Sequence, residues 1–312
     1  MAFASSELII NSDNSIYHLH LQPDQIADLI ITVGDPNRVE RVSRHFDRID
    51  TRVSKREFVT HTGELGGRRI SVISTGIGTD NIDIVLNELD ALARIDLKTR
   101  QLLPAEQQRQ LRFVRLGTSG CLQPDLAVDS ILVSAFAIGL DGLMGFYDLH
   151  YPQKTRYLLD HLQASMAAAS LHIPGTPYAA QADEMLLNHF STPKNYQGIT
   201  LTAAGFYGPQ ARELRLKTRL NSKIIDALTS FNYLPTANNK SEQAALRITN
   251  LEMETAGIYA LAQALGHKAI SISALLANRT NGTFSQNARQ TVDSLIEWAL
   301  ERLTSLPLSS DE

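Results

Sequence analysis

Leu29-Ile-Ile-Thr-Val-Gly-Asp-Pro-Asn-Arg38 decides the fold: an apolar, β-branched run passes directly into a glycine, an acid, a proline and a cation. A run without polar alternation reads as a strand buried on both faces, as in parallel sheets. Gly-Asp-Pro then ends the strand and supplies the residues that start a helix. The same grammar recurs along the chain. Ile70 to Ser74, Phe113 to Leu116, Ile131 to Ile138, Ile199 to Ala203 and Ala269 to Leu276 each read as a strand. Between them, Ile82, Val85, Leu86 and Leu89 fall at helical spacing, and Val292, Leu295, Ile296, Ala299 and Leu303 form a similar stripe in the last helix. Both stripes are expected to face a core, and Trp298 is expected to pack there. The pattern is that of an α/β chain with a mixed, largely buried central sheet flanked by helices.

Composition narrows the function. The 312 residues, 43% hydrophobic and 20% charged, hold enough apolar material for one large core or two small ones. One domain over 1–312 is expected, with polar surface insertions near 98–112 and 235–241. The net charge of -4 and the scattered Lys and Arg residues argue against nucleic acid and for a small-molecule ligand. A lone Cys121 excludes an internal disulfide, fits a reducing cytosol, and reads as a packed core thiol rather than a nucleophile. No apolar run approaches a membrane span and the N-terminus does not read as a leader, so a cytoplasmic location is expected.

The strand ends carry the chemistry. Ligands of open α/β sheets bind at the carboxyl ends of strands. Here those ends read Gly34-Asp-Pro-Asn-Arg38, Thr75-Gly-Ile-Gly78 and, after the strand carrying Arg115, Gly117-Thr-Ser-Gly120. Glycines let backbone N–H groups approach an oxyanion, hydroxyls donate to it, and Arg38 and Arg115 add charge-assisted bonds. Each piece alone also fits an ordinary tight turn; their recurrence favours a phosphate site. No Gly-Lys-Ser/Thr phosphate loop is present, and Asn81 stands where a dinucleotide fingerprint places its third glycine. Further on, Gly205-Phe-Tyr-Gly-Pro-Gln-Ala-Arg212 sets an amide and a guanidinium two residues apart. Together they can read a planar ring bearing an N–H beside two carbonyls, although Gln and Arg also occur in turns for solubility alone.

Taken in order, Tyr17-His-Leu19, Gly34-Asp-Pro-Asn-Arg-Val39, Lys55-Arg-Glu-Phe58, Ser74-Thr-Gly-Ile-Gly78, Arg115-Leu-Gly-Thr-Ser-Gly120, Asn250-Leu-Glu-Met-Glu254 and Asn278-Arg-Thr280 run through most of the chain. This ordered set resembles the nucleoside phosphorylase family, which includes uridine phosphorylase and the hexameric bacterial purine nucleoside phosphorylases. The resemblance implies a distorted central sheet and phosphorolysis of a nucleoside to free base and pentose 1-phosphate. By position it assigns Gly34, Arg38, Arg115 and Thr118 to phosphate, with Arg56 reaching the same phosphate from a neighbouring subunit. It assigns His18 to the ribose 5'-hydroxyl across that interface, Met253 and Glu254 to the ribose, and Phe206, Gln210 and Arg212, beside Tyr207, to uracil. A homo-oligomer follows, at least a dimer, with a hexamer as the larger option. On residue types alone, Glu252 and Glu254 read equally as one turn of a solvated helix start.

The purine enzymes of the family carry a Ser-Asp pair near the last strand to protonate the base, where this chain has Asn278-Arg279. A neutral amide cannot do so, which points to the pyrimidine branch. Arg279 supports Arg212 or a closing loop on this reading, with a surface salt bridge as the alternative. Two departures stand out. Gly208-Pro209-Gln210-Ala211-Arg212 differs from the usual Pro-Gly-Gln, charged residue, Arg. Asn81 replaces a Ser that in some relatives helps hold a monovalent cation between subunits, so that cation is not expected although Glu57 is kept. No cofactor and no metal are expected, with inorganic phosphate as co-substrate. Uridine is the expected nucleoside; another nucleoside, such as thymidine, deoxyuridine or a purine nucleoside, and a non-catalytic nucleoside-binding protein are the alternatives.

Overall fold

The computed structural model describes residues 2–234 and 245–307, so the polar segment at 235–241 and the acidic tail at 309–312 lie outside the described residues. The chain runs β1 (Leu29–Val33), α1 (Pro36–Ser43), β2 (Arg48–Lys55), β3 (Phe58–Leu65), β4 (Arg68–Ser74), α2 (Thr79–Arg94), β5 (Ile95–Asp96), β6 (Gln101–Leu102) and β7 (Arg112–Cys121). It continues through β8 (Ile131–Gly139), α3 (Gln153–Ala168), β9 (Tyr178–Gln181), α4 (Glu184–Phe190), β10 (Tyr196–Thr202), α5 (Ser222–Thr229), β11 (Asn232–Tyr233) and β12 (Leu246–Glu252). The last elements are α6 (Thr255–Ala264), β13 (Lys268–Asn278), β14 (Thr283–Phe284) and α7 (Ala288–Thr304). The α/β class and mixed sheet implied by the strand runs are present. Two compact units divide the chain: Met1–Leu116, Leu261–Ala269 and Asp293–Glu312 form the first, and Gly117–Ala260 and Ile270–Val292 the second.

In the first unit, β1 lies between parallel neighbours β4 and β7, with Leu29 opposite Ile70 and Arg112, and Thr32 opposite Ile73 and Arg115. This central place explains why every residue of Leu29–Val33 is buried. Strands β2, β3 and β4 follow as an antiparallel meander. Gly66 and Gly67, both at positive φ, make the two-residue turn between β3 and β4. The turn between β2 and β3 is Arg56-Glu57, with Arg56 at φ 55. Sequence reasoning did not single out β2 or β3. Arg48-Ile-Asp-Thr-Arg-Val-Ser-Lys55 is a charged edge strand, which carries little apolar signal. On α2 the stripe Ile82, Val85, Leu86 and Leu89 is buried as expected, and Asp35 caps α1 through Asn37 N. Most of the 98–110 stretch is exposed, and β5 and β6 form a two-stranded hairpin at its start.

The second unit orders its strands β11-β12-β10-β8-β13, with β9 added to β8 and β14 to β13. Strand β8 changes partner along its length: Ile131, Leu132 and Val133 pair with β13, and Phe136 to Gly139 with β9. Its core gathers Leu158, Leu162 and Met166 of α3, Ile199 and Leu201 of β10, and Ile224 and Leu228 of α5. Cys121 packs with Leu126, Leu132 and Leu275, and burial raises its thiol pKa, in keeping with a core role. Two features depart from the sequence expectation. Residues 117–120 are not a loop after a strand ending at Leu116, since β7 runs on and pairs Gly120 and Cys121 with Leu251 and Asn250. Glu252 ends strand β12 instead of sharing a helix turn with Glu254.

The pairing of β10 with β12 skips Thr249, a bulge between Ile199 and Thr200, and a Cβ on Gly198 would lie 2.2 Å from Thr249 Cγ2. Gly198 therefore makes room for the bulged side chain. Gly198→Ala is expected to lower stability by about 1–3 kcal/mol in chemical denaturation, with Thr249→Ser recovering part of the loss by removing the clashing methyl.

On β3, His61 is 7% exposed, with Nδ1 2.8 Å from Ser43 Oγ and 3.7 Å from Glu40 Oε2. Burial first, and then the Arg52 charge, hold its pKa below the ordinary 6.5 against the opposing pull of Glu40. The unfolded chain thus takes up a proton that the folded chain resists. Stability from this site is present above pH 6.5 and is lost as pH falls below it. His61→Gln is expected to flatten the decline of the thermal midpoint between about pH 7.5 and pH 5; an unchanged slope counts against the assignment.

Candidate active site

The first unit gathers most of the oxyanion candidates. Arg115 lies opposite Thr32 near the end of β1, and Gly34 follows β1 directly. A Cβ on Gly34 would sit 3.4 Å from Gly76 O, so the loops after β1 and β4 touch, and Thr75 N donates to Val33 O at 2.8 Å. Arg38, in the first turn of α1, donates from Nη1 to Leu116 O at 3.1 Å. Gly76 and Gly78 adopt φ 71 and 98, and Gly78 is the N-cap of α2, with Asp80 Oδ1 2.7 Å from where its Cβ would stand. Gly34, Arg38, Arg115 and the Thr75-Gly76 backbone are therefore brought together beside the amino end of a helix, which favours negative charge. Thr118 is half-buried on β7 and belongs to the second unit.

His18 and Arg56 share one part of the first unit. The ring of Tyr17 meets His18 edge-on at 4.6 Å, and the Arg56 guanidinium lies 6.0 Å above the same ring. Arg56 stands exposed at the tip of the β2–β3 turn in a left-handed conformation unusual for its type. Asn81 and Glu57 flank Gly76: a Cβ there would lie 2.3 Å from Asn81 Nδ2 and 3.2 Å from Glu57 Cγ.

In the second unit, the loop after β10 carries the base-reading candidates. A 3-10 turn over Gly208–Gln210 is closed by Ala211 at φ 56, and both Gln210 N and Arg212 N donate to Tyr207 O. The Arg212 guanidinium stacks 3.9 Å above the Phe206 ring and donates through Nη1 to Phe206 O at 2.8 Å. It also donates to Gln210 Oε1. Gln210 is 3% exposed; its second oxygen lone pair and its amide N–H groups remain for a ligand. Tyr207 is 55% exposed and turned edge-on to Phe206.

Behind these groups lies Arg279. Its stem runs beside Gly120, where a Cβ would stand 3.4 Å from Arg279 Cδ. Its Nη1 is buried without a hydrogen-bond partner. Burial and then the Arg212 charge bring its pKa down to about 10, and burial also lowers that of Arg212. Two guanidinium groups thus repel one another in a partly dry setting, an arrangement that an electron-rich carbonyl or an anion relieves. Asn278, in contrast, is fully engaged with backbone. Its Nδ2 donates to Gln123 O and Leu126 O at 2.9 Å each, and its Oδ1 accepts from Asn281 N.

The carboxylates sort into two roles. Glu254 is 7% exposed and Met253 half-buried, both between β12 and α6. Glu252 is the last residue of β12 and buried, not part of a solvated helix turn. Its carboxylate accepts from Thr202 Oγ1 at 2.6 Å, from Glu254 N at 3.0 Å and from Thr255 N at 3.0 and 3.2 Å. Sequence reasoning missed this anchor; an acid directly before a helix start, with a threonine on the neighbouring strand, was the available signal.

A family model described as the phosphorylase superfamily matches residues 28–309, and so residues of both units. The chain belongs to the phosphorylase superfamily. Among its relatives, the uridine phosphorylase of Thermococcus kodakarensis is 28% identical over 311 residues, covering 96% of this chain and 94% of the relative. The uridine phosphorylase of Haemophilus influenzae is 27% identical over 270 residues, covering 86% and 88%. A solved structure of Trypanosoma brucei nucleoside phosphorylase, a protein that shows uridine phosphorylase activity, superposes with a TM-score of 0.81 at 26% identity, covering 96% of this chain and 99% of that one.

The strained cation pair of this phosphorylase makes a stability test available. Arg279→Met removes one of two repelling, partly desolvated charges and keeps the bulk of the side chain. It is expected to raise the thermal midpoint of the ligand-free protein by about 2 °C. A lowered midpoint would show that packing of the Arg279 stem outweighs the repulsion.

Proposed function

We propose that this phosphorylase converts uridine and inorganic phosphate to uracil and ribose 1-phosphate. The observation that carries the reading is the donor set of Gln210 and Arg212, stacked on Phe206 and backed by Arg279. Cleaving a glycosidic bond gives an oxocarbenium-like sugar, and phosphate can replace the carboxylate nucleophile that a glycosidase would use. The protein then needs to bind phosphate, orient the sugar and stabilise negative charge on the departing base. Donors from Gln210 and Arg212 to the uracil oxygens strengthen as that charge grows, and Arg279 keeps the setting electropositive.

Gly34, Arg38, Arg115 and Thr118 take the phosphate, with Arg56 supplied by a neighbouring subunit. Glu254 accepts from the ribose 2' and 3' hydroxyls, Met253 lines the sugar, and His18 of the neighbour meets the 5'-hydroxyl. The exposed hairpin tip that carries Arg56 suits delivery to a second copy. The working protein is accordingly a homo-oligomer, at least a dimer, in which the chain acts as one phosphorylase-like domain. It is cytoplasmic and uses no cofactor; among the described residues no helix is long and apolar enough to cross a membrane. A monovalent cation at Glu57 is not required by this scheme.

Asn278-Arg279 in place of a Ser-Asp pair supports the pyrimidine branch over purine nucleosides, because an amide committed to the backbone and a guanidinium supply no acid. The test is uracil release from uridine with and without phosphate, run beside inosine, thymidine and deoxyuridine. Phosphate-dependent release from uridine is expected, and Arg212→Ala should lower kcat/KM at least about 100-fold while sparing phosphate binding. Preference for inosine would overturn the base assignment, and binding without turnover would favour a nucleoside-binding protein.

A further inference from the structure

We propose that Glu88 is a positioning residue that fixes the tautomer and direction of His18. The inference rests on the reading of His18 as the group that meets a neighbour's ribose 5'-hydroxyl, and it adds a residue to which neither sequence nor comparison gave a role. Glu88 lies on α2, and its carboxylate is saturated by one short segment of chain. His18 N donates to both oxygens at 3.0 Å, Leu19 N to Oε2 at 2.8 Å, and His18 Nδ1 lies 2.7 Å from Oε1.

The consequences follow from hydrogen-bond chemistry. A carboxylate only accepts, so the 2.7 Å contact places a proton on Nδ1 and leaves Nε2 as the far, available nitrogen. The two backbone bonds stop the segment from swinging, and Ile16 and Leu19, each 1% exposed, anchor it on both sides of His18. The imidazole itself stays partly open, with its side chain 27% exposed against 13% for Glu88. Glu88 thus spends its acceptor capacity on holding one ring that remains free to meet a ligand, in the manner of carboxylates that orient functional histidines. Helix α2 begins at the Gly76 and Gly78 loop, about 15 Å along the helix from Glu88. One rigid element therefore supports both the chain's own oxyanion loop and the histidine given to its neighbour.

The test compares uridine with 5'-deoxyuridine, which lacks the hydroxyl in question, for the native protein, Glu88→Gln, His18→Ala and the double variant. Glu88→Gln is expected to lower kcat/KM for uridine about tenfold, mainly through KM, and to change that for 5'-deoxyuridine less than about twofold. In the double variant the loss should equal that of His18→Ala alone, because a positioning residue has nothing left to position. Equal losses on the two nucleosides, or a further fall in the double variant, would overturn the proposal. A second measurement needs no Glu88 variant. In the 15N imidazole spectrum of the native protein, the His18 signal, assigned by its loss in His18→Ala, should report a proton on Nδ1; a ring protonated at Nε2 alone contradicts it. If the native protein releases no uracil from uridine with phosphate, the parent reading fails, and the spectrum still decides the contact.

Discussion

A carboxylate taken out of water must be met by donors on nearly every lone pair, and Glu252 shows how far that requirement organises the second unit. Its oxygens hold the hydroxyl of Thr202 from β10 and the amides of Glu254 and of Thr255, the first residue of α6, while Thr202 passes the tie on by accepting from Ala256 N at 2.9 Å. Strand end, neighbouring strand and helix start are thereby joined at one point. Met253 and Glu254 occupy the link between them, so their backbone has little freedom. Nearby, Ser134, Thr200, Asn250 and Ser119 form a buried hydrogen-bonded chain that leads to the strand carrying Thr118. Such polar chains specify one arrangement where an apolar core would tolerate several.

What was legible in the sequence follows from how strongly each element depends on local pattern. Leu29–Val33 matched its strand residue for residue, because a strand buried on both faces is apolar at almost every position, Thr32 being the exception here. The α2 stripe was equally plain. Strands β2 and β3 left little trace: an edge strand can be charged, and the two-glycine turn at Gly66 and Gly67 was their clearest mark. The strand ends were found because glycine beside Thr or Arg is informative by residue type. The continuation of β7 through Gly120 was not, since its pairing with Leu251 joins residues far apart in sequence. Glu88 was out of reach for the same reason, lying 70 positions from its partner.

The first unit divides its charged groups by backbone context. Arg38 and Arg115 are tied into the sheet, one through Leu116 O and the other by its buried place in β7, so their charges are fixed in direction. Arg56 is treated differently. A left-handed non-glycine residue at a hairpin tip costs about 1 kcal/mol or more in local strain, and here its exposed guanidinium lies 6.0 Å above the ring of Tyr17. The contrast separates charge fixed by buried backbone from charge left exposed at a turn.

The amide of Asn278 pins the loop at 123–126 to the end of β13. Aspartate at that position would set a carboxylate oxygen against the carbonyls of Gln123 and Leu126, which now receive its two N–H bonds. The loop would lose two bonds and gain two repulsions. Change at the neighbouring position is constrained in turn, because Arg279 lies across the glycine of β7 and faces Arg212. Replacement at either position therefore asks for a compensating change elsewhere in the unit, so this corner of the fold changes in sets and not by single substitutions.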